Sequence, residues 1–259
     1  MGFFDFFGDL FKTKNTKAIK GVKPIVKPSA SVLAVPVPSF SDIIAPAANP
    51  KIEPIDLSQV TFDKSPNQSV RTDTVRAIVL HHTGPGSFQV IVDWLKNPDA
   101  KASAHYVVGK AAELTQLVNT SQKAWHAGVA QWTIDGVLRK DVSNCTVGIE
   151  ICNIGLMQKH DDGKFYYEVG TNLVEWKGKE VPVKATITYP SGKILEGYAL
   201  EYPEVQVNKV IALCKALVQK YPDIGREDIL THFQIATPEG RKDDPLGLNI
   251  QNIINKIFE

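Results

Sequence analysis

Two short, mainly apolar runs constrain the fold of this chain more than any other feature of its sequence. Residues 76–81 include four consecutive apolar residues, and Thr146–Ile151 is a second run of this kind. Short runs rich in β-branched residues indicate strands buried inside a sheet. Residues 88–95 and 205–221 instead carry apolar residues at helical spacing. We therefore predict an α/β fold with a central mixed β-sheet flanked by helices.

Shorter elements extend this prediction to the rest of the C-terminal two-thirds of the chain. They are strands at 104–108 and 114–118 and a closing helix at 250–258. The segment 155–203 differs from its surroundings, because strand-like alternation is separated there by the turn pairs Asp162-Gly163 and Ser191-Gly192. We predict that 155–203 is a β-rich insertion beside the core.

The first 70 residues have a different composition. Seven of the sixteen prolines lie between residues 24 and 54. Proline at irregular spacing neither propagates a helix nor fits a sheet interior, so we predict a Pro-rich linker at 24–70. This divides the chain into an N-terminal segment at 1–23, the linker, and a folded domain at 71–259. A chain that begins near Ser69 is then expected to fold alone.

The N-terminal segment is aromatic and amphipathic. Within residues 3–11, the phenylalanines at 3, 4, 7 and 11 share one helical face. That face predicts an anchor to a membrane surface or a protein, and the alternative is a tail that folds back or frays. Acidic residues interrupt the apolar stretch and basic ones follow it, which is unlike a secretory signal. We expect synthesis in the cytoplasm without a Sec signal.

The overall charge excludes some partners. The chain has 29 Lys and Arg against 28 Asp and Glu, so its formal net charge is +1. Nothing global attracts this chain to nucleic acid, and recognition of a charged substrate must be local. Its three cysteines form no disulfide framework, and no apolar run is long enough to span a membrane. The oligomeric state is left open.

Histidines and carboxylates suggest a metal site. His81 and His82 end the first apolar run, and because strand neighbours point to opposite faces, only one of them readily faces a given cleft. His232 is followed by Asp244 twelve residues later. Taken singly, these residues are more often structural. Two histidines and a carboxylate together are a common ligand set for catalytic zinc, with water in the fourth position.

Glu150 ends the second apolar run. A carboxylate in so apolar a run is costly to bury without a partner, and it is placed where a general base could take a proton from water. The alternative is a residue at the strand end that is turned to solvent.

Six motifs in order carry a family resemblance. They are Ile78-Val79-Leu80-His81-His82-Thr83, Ser103-Ala104-His105-Tyr106, Ala124-Trp125-His126-Ala127-Gly128, Val147-Gly148-Ile149-Glu150, Thr231-His232 and Arg241-Lys242-Asp243-Asp244-Pro245. With these motifs the chain resembles the zinc-dependent N-acetylmuramoyl-L-alanine amidases related to peptidoglycan recognition proteins, phage lysozyme-type amidases and anhydro-muropeptide amidases. The resemblance covers about 75–258, interrupted by 155–203.

The resemblance implies roles for individual residues. One zinc ion per chain falls on His81, His232 and Asp244. The catalytic glutamate falls on Glu150, and a lysine that stabilises the oxyanion falls on Lys242. Two further residues are implied to line the groove for glycan or peptide, namely Trp125 and His126.

The implied activity is hydrolysis of the amide between the lactyl group of N-acetylmuramic acid and L-alanine, with peptidoglycan or muropeptides as the partner. Two alternatives remain: a non-catalytic peptidoglycan-binding protein, and a zinc peptidase that acts on the stem peptide. We expect action at the bacterial cell wall, where a phage lysin, a virion-associated enzyme and a bacterial wall-remodelling enzyme all fit.

Overall fold

A computed structural model describes residues 51–259. Its strands are β1 (Thr61–Phe62), β2 (Gln68–Val70), β3 (Ala77–His82), β4 (Tyr106–Val108), β5 (Leu114–Gln116), β6 (Gln122–Ala124), β7 (Trp132–Ile134), β8 (Val137–Arg139), β9 (Thr146–Ile151), β10 (Gln158–Lys159), β11 (Phe165–Val169), β12 (Asn172–Glu175), β13 (Val183–Thr188), β14 (Ile194–Ala199) and β15 (Ile229–Thr231). Its α-helices are α1 (Phe88–Lys96), α2 (Glu204–Lys220), α3 (His232–Ile235) and α4 (Ile250–Ile257).

Six of these strands form the central sheet, in the order β1-β5-β4-β9-β3-β15. β3 pairs in parallel with both β9 and β15, and β9 pairs in parallel with β4. The β4–β5 pair is antiparallel. The sheet is therefore mixed, and the predicted fold class is confirmed.

Helices cover both faces of this sheet, and the alternation along β3 shows how. Ile78 and Leu80 point to one face, where they belong to a core cluster with α2 and α4. Ala77 and Val79 point to the opposite face, which also packs against the segment after β6. Helix α1 covers the β4 part of that second face. His81 follows the same alternation and therefore lies on the second face.

The insertion has the predicted β character. Strands β10, β11 and β12 form one small antiparallel sheet, and β13 and β14 form a hairpin. The hairpin buries its inner residues against Phe233 of α3 and against Leu246. The insertion therefore packs beside the segment that carries His232 and Asp244.

One predicted boundary needs correction, because the domain begins well before residue 71. β1 pairs in parallel with β5 in the central sheet, and the Ile55 amide donates to the Ala212 carbonyl of α2 at 3.2 Å. Ser65 and Asn67 are buried. Pro54 and Pro66 lie outside the strands, so they are compatible with this packing. Residues 52–70 thus belong to the folded domain and not to the linker.

Residues 1–50 are not described, so the predicted N-terminal anchor at 3–11 and most of the predicted linker lie outside the described residues. Within 51–259, none of the helices combines the length and apolar character needed to cross a membrane.

Candidate metal centre and cleft

Two parallel strand pairs bring the candidate metal ligands to one edge of the sheet. Thr231 at the end of β15 pairs with Leu80 of β3, so the next residues, His232 and His81, lie side by side. On the other side of β3, His81 pairs directly with Glu150 of β9. Paired residues on neighbouring strands point to the same face, so Glu150 and His81 share a face of the sheet.

A loop returns Asp244 to this edge, as its spacing from His232 requires. The Phe233 amide donates to the Asp244 carbonyl at 3.0 Å. The Arg241 guanidinium holds the same loop from the other side by donating to the carbonyls of Val129 at 2.6 Å and Ala127 at 3.2 Å. The loop is therefore held at two points, Arg241 and Asp244.

The three side chains form a compact set of donor atoms. His81 Nδ1 lies 2.9 Å from His232 Nδ1 and 3.2 Å from Asp244 Oδ2, and His232 Nδ1 lies 2.9 Å from Asp244 Oδ2. Ligands of tetrahedral zinc are separated by about 3.3 Å when the metal bonds are about 2.0 to 2.1 Å. The three residues are buried and can hold a metal ion. The predicted ligand set is thus brought together in space.

The protons around this triangle explain why it suits a cation. His232 Nε2 lies 3.0 Å from the Ala127 carbonyl, which only accepts, so Nε2 carries the proton and Nδ1 presents a lone pair. His81 Nε2 lies 3.0 Å from His126 Nδ1, and His126 Nε2 lies 3.1 Å from Thr146 Oγ1. The Thr146 hydroxyl donates to the Val142 carbonyl at 2.8 Å.

This chain of hydrogen bonds sets the tautomer of His81. If each group donates to the next, from His81 Nε2 through His126 to Thr146, then His81 Nδ1 also presents a lone pair. Two imidazole lone pairs and a carboxylate oxygen then face one another with no proton between them. A metal ion relieves that repulsion, and the donor set of the site therefore fits zinc.

The electrostatics favour a neutral His81 and an ionised Asp244. Burial, together with the neighbouring His232, lowers the pKa of His81 to about 4. Burial alone would raise the pKa of Asp244, but a proton on the adjacent His232 or His81, which stands where a metal cation would lie, holds it well below its ordinary value. Burial also lowers the pKa of His126 well below its ordinary value. A histidine that binds a metal ion must be neutral and a carboxyl group must be ionised, and these are the forms that the pKa shifts of His81 and Asp244 favour.

Glu150 is a carboxyl group without a partner. Its Oε2 atom is buried and has no hydrogen-bond partner among the described residues. Burial raises the pKa of Glu150 well above its ordinary value, the charge of Asp244 raises it further, and Lys242 opposes the rise. A carboxyl group with a raised pKa in a cleft beside a metal centre has the character of a general acid or base.

A cleft of about 460 Å³ opens over this centre, and we call it the main cleft. Glu150, Trp125 and Lys242 all line it. Trp125 is 38% exposed, and its indole Nε1 donates to Ser69 Oγ at 3.1 Å. The predicted site residues other than His81, which is buried next to His232, therefore line a single cleft.

The insertion supports the lysine side of the main cleft, which the sequence did not predict. The Tyr189 hydroxyl donates to the Lys242 backbone carbonyl at 3.2 Å. At the turn of the same hairpin, the Ser191 amide donates to Glu239 Oε2 at 3.0 Å, and the Ser191 hydroxyl contacts the other oxygen. The sequence does place Tyr189 at the end of an alternating, strand-like segment, which was the available signal for its burial. Nothing in the sequence indicated that its hydroxyl would contact the distant loop that carries Lys242.

His82 occupies the opposite side of the strand end. Its Nδ1 atom is buried without a partner among the described residues, and its Nε2 lies 3.9 Å from Asp243 Oδ1. Gly155, where the insertion begins, has a φ of +83°, and a Cβ there would lie 2.4 Å from His82 Nε2. The glycine thus makes room for the His82 ring.

Comparisons with known proteins agree with this geometry. The family model described as N-acetylmuramoyl-L-alanine amidase (Amidase_2) matches residues 71–247. The chain is 27% identical over 179 residues to the N-acetylmuramoyl-L-alanine amidase AmiD of Escherichia coli K12, over 66% of this chain and 49% of the relative. It is 38% identical over 64 residues to N-acetylmuramoyl-L-alanine amidase A of Achromobacter lyticus, over 24% of this chain and 36% of the relative.

One solved structure shows the same fold, and a second is similar to the chain over part of its length. A crystal structure of an AmpD derivative matches with a TM-score of 0.50 and 20% identity, over 78% of this chain and 95% of that one. A complex of Escherichia coli AmiD with the substrate anhydro-N-acetylmuramic acid-L-Ala-D-γ-Glu-L-Lys matches with a TM-score of 0.49 and 23% identity, over 73% of this chain and 60% of that one.

The matched regions span less than half the length of the two curated relatives, whereas the family model covers most of the folded domain. The match at 71–247 includes both apolar strands, the whole donor triangle and the loop that carries Lys242. The chain therefore belongs to the N-acetylmuramoyl-L-alanine amidase family.

Proposed function

We propose that this protein is a zinc-dependent amidase that hydrolyses the bond between the lactyl group of N-acetylmuramic acid and L-alanine in peptidoglycan or muropeptides. The observation that carries the proposal is the triangle of unprotonated donor atoms on His81, His232 and Asp244, with Glu150 beside it in one cleft. The family and the curated amidase relatives support the same bond specificity.

Zinc held by the three donors supplies two kinds of chemistry: it lowers the pKa of a bound water and polarises a carbonyl group. One ion per chain is expected, because the structure offers one such group of donors among the described residues. The buried position of the three side chains keeps competing water away and fixes their orientation.

Glu150 and Lys242 act on the reacting amide. Glu150 takes a proton from the attacking water and then returns it to the nitrogen of the leaving L-alanine, which a carboxyl group with a raised pKa does well. The Lys242 ammonium stabilises negative charge on the lactyl carbonyl oxygen as it develops. Both residues line the main cleft, as these roles require.

Trp125 and His126 take different roles in this proposal. The half-exposed indole of Trp125 offers an apolar plate to a sugar or peptide. The family resemblance implies substrate contact for His126 as well, and the residue lines the cleft. Both of its ring nitrogens are hydrogen-bonded within the protein, however, so we assign it to orienting His81.

The bond cut distinguishes this function from its alternatives. Purified peptidoglycan would be digested and the new amino termini labelled. We expect labelled L-alanine and no rise in reducing sugar ends. Labelled diamino acid or D-alanine would reassign the protein to the peptidases, and binding without any new amino terminus would make it a non-catalytic binder.

The control for this digest is the His232→Ala variant, which removes one metal ligand. It should bind less zinc and release no L-alanine termini.

The biological setting of the protein stays a prediction from the sequence. We expect it to act at the bacterial cell wall, whether as a phage lysin, a virion-associated enzyme or a bacterial enzyme.

A further inference from the structure

A second cleft adjoins the main cleft. It has a volume of about 340 Å³, and we call it the insertion cleft. One wall is the loop segment 240–243, which also borders the main cleft. The opposite walls come from the insertion, with Tyr166 and Leu173 on the small sheet and Lys193 and Leu195 on the β13–β14 hairpin. The insertion therefore extends the surface that a ligand in the main cleft can reach.

Two of the basic side chains that line the insertion cleft, Lys193 and Lys242, are available to a ligand. Lys193 is exposed, and its ammonium lies 6.0 Å from the centre of the Tyr189 ring. Among the described residues, neither Lys193 nor Lys242 has a carboxylate within ion-pair distance. Asp243 lines the cleft but lies toward His82. Two ammonium groups without ion-pair partners attract a carboxylate from outside the protein.

The remaining lining adds two complementary features. Tyr166, Leu173 and Leu195 provide apolar surface of the kind that covers methylene groups. Glu168, on the middle strand β11 of the small sheet, contributes an exposed carboxylate to the same cleft. The cleft thus combines positive charge, apolar surface and the exposed carboxylate of Glu168, while its second carboxylate, Asp243, faces His82. These features match a short peptide that carries both carboxylate and ammonium groups.

We infer that the insertion cleft binds the part of the stem peptide beyond L-alanine, with a peptide carboxylate at Lys193 and the diamino acid between the apolar residues and Glu168. This inference rests on the proposed function, which places L-alanine at the neighbouring metal centre. A γ-linked glutamate leaves its α-carboxylate free, and the L-lysine that follows it in the AmiD substrate carries an ammonium group. A ligand of this kind meets each feature of the cleft.

Binding of a free peptide tests the inference without requiring catalysis. The probe is the tripeptide L-Ala-D-γ-Glu-L-Lys, titrated into the full zinc-loaded chain and followed by amide chemical shifts. We expect shifts at Leu173, Lys193 and Leu195. Lys193→Glu should weaken binding by about tenfold or more, because it replaces a charge-assisted contact by a repulsive one.

A matched control separates a local contact from general charge. Lys184 is exposed on the outer face of the same hairpin and does not line the insertion cleft, so Lys184→Glu makes the same change in net charge. It should leave the dissociation constant within about twofold of the parent value. A peptide with an α-carboxamide in place of the α-carboxylate should bind the parent weakly and be indifferent to Lys193→Glu.

Three results would overturn the inference. The first is that Lys193→Glu and Lys184→Glu weaken peptide binding equally. The second is that the peptide changes amide chemical shifts only in the main cleft around Trp125. The third is that the disaccharide alone, without any peptide, changes the shifts of Leu173 and Leu195. Hydrolysis of muropeptides is measured on the same preparation. If the peptide binds with the expected pattern but no muropeptide is hydrolysed, the inference stands and the proposed function is rejected. If muropeptides are hydrolysed but the peptide causes no shifts in the insertion cleft, the proposed function stands and the inference is rejected.

Discussion

The Tyr189 hydroxyl donates a hydrogen bond to the backbone carbonyl of Lys242 at 3.2 Å. Tyr189 belongs to the insertion, whereas Lys242 borders the main cleft. The Tyr189 ring also packs edge-on against Phe233, with centroids 5.9 Å apart. Through this contact the insertion holds the lysine loop in place, although it contributes none of the metal ligands.

Tyr189→Phe tests that role. The phenylalanine keeps the packing on Phe233 but loses the hydrogen bond, so the Lys242 loop becomes less well positioned. A lost neutral hydrogen bond is worth about 1 kcal/mol, which predicts a fall in kcat of about fivefold with KM nearly unchanged. Steady-state kinetics on a soluble muropeptide measure both. Tyr198→Phe in the same hairpin is the control, because that ring packs on Phe165 instead.

His126→Ala should weaken zinc binding without removing a ligand. The variant removes the acceptor for His81 Nε2, so the His81 ring is no longer held in one tautomer and orientation. Loss of such a supporting partner typically costs about 10- to 100-fold in metal affinity. Competition with a chelator of known affinity measures the change. His160→Ala should have no effect, since that ring lies on Tyr166 in the insertion.

Glu150→Gln should preserve the zinc content and abolish most turnover. Glutamine has nearly the same shape but cannot take a proton, and general acid–base steps contribute about 100- to 10,000-fold. Zinc analysis and muropeptide kinetics on the same sample separate the two properties. Parent-like turnover by this variant would show that Glu150 is not the base.

The same substitution predicts a pH effect on the stability of the metal-free protein. The folded-state pKa of Glu150 is raised above its unfolded value, mainly by burial, so the folded state binds more protons between the two values. The free energy of unfolding therefore falls as pH rises through that window, and the loss is complete above the folded pKa. Glu150→Gln removes this loss, so it should raise the melting temperature more at pH 8 than at pH 5.

The sequence predicted the main strands and helices better than the boundaries of the domain. β9 is observed at the predicted residues, and α1 and α2 agree to within one residue at each end, because apolar periodicity records burial directly. His81, His232 and Asp244 were placed together by the family resemblance of the ordered motifs, and their donor atoms do lie close to one another. The sequence did not predict β1, because a strand of two residues has no periodicity. It also did not predict the contact between Tyr189 and Lys242, because these residues lie 53 positions apart in the sequence.

The corrected domain boundary yields a prediction that differs from the sequence-based one. A chain that begins at Ser69 lacks β1 and Asn67, whose side-chain amide donates to the carbonyls of Asn97 at 2.8 Å and Ala102 at 3.0 Å. The lost apolar packing and these unpaired carbonyls should cost on the order of 5 kcal/mol, a large share of a domain's stability. A chain that begins at Lys51 should unfold cooperatively at a much higher temperature than one that begins at Ser69, as thermal circular dichroism will show.

A point mutation isolates the polar part of this loss. Asn67→Ala in the chain that begins at Lys51 should lower the free energy of unfolding by about 1 to 3 kcal/mol. Equal melting temperatures for the two truncated chains would restore the boundary near residue 70.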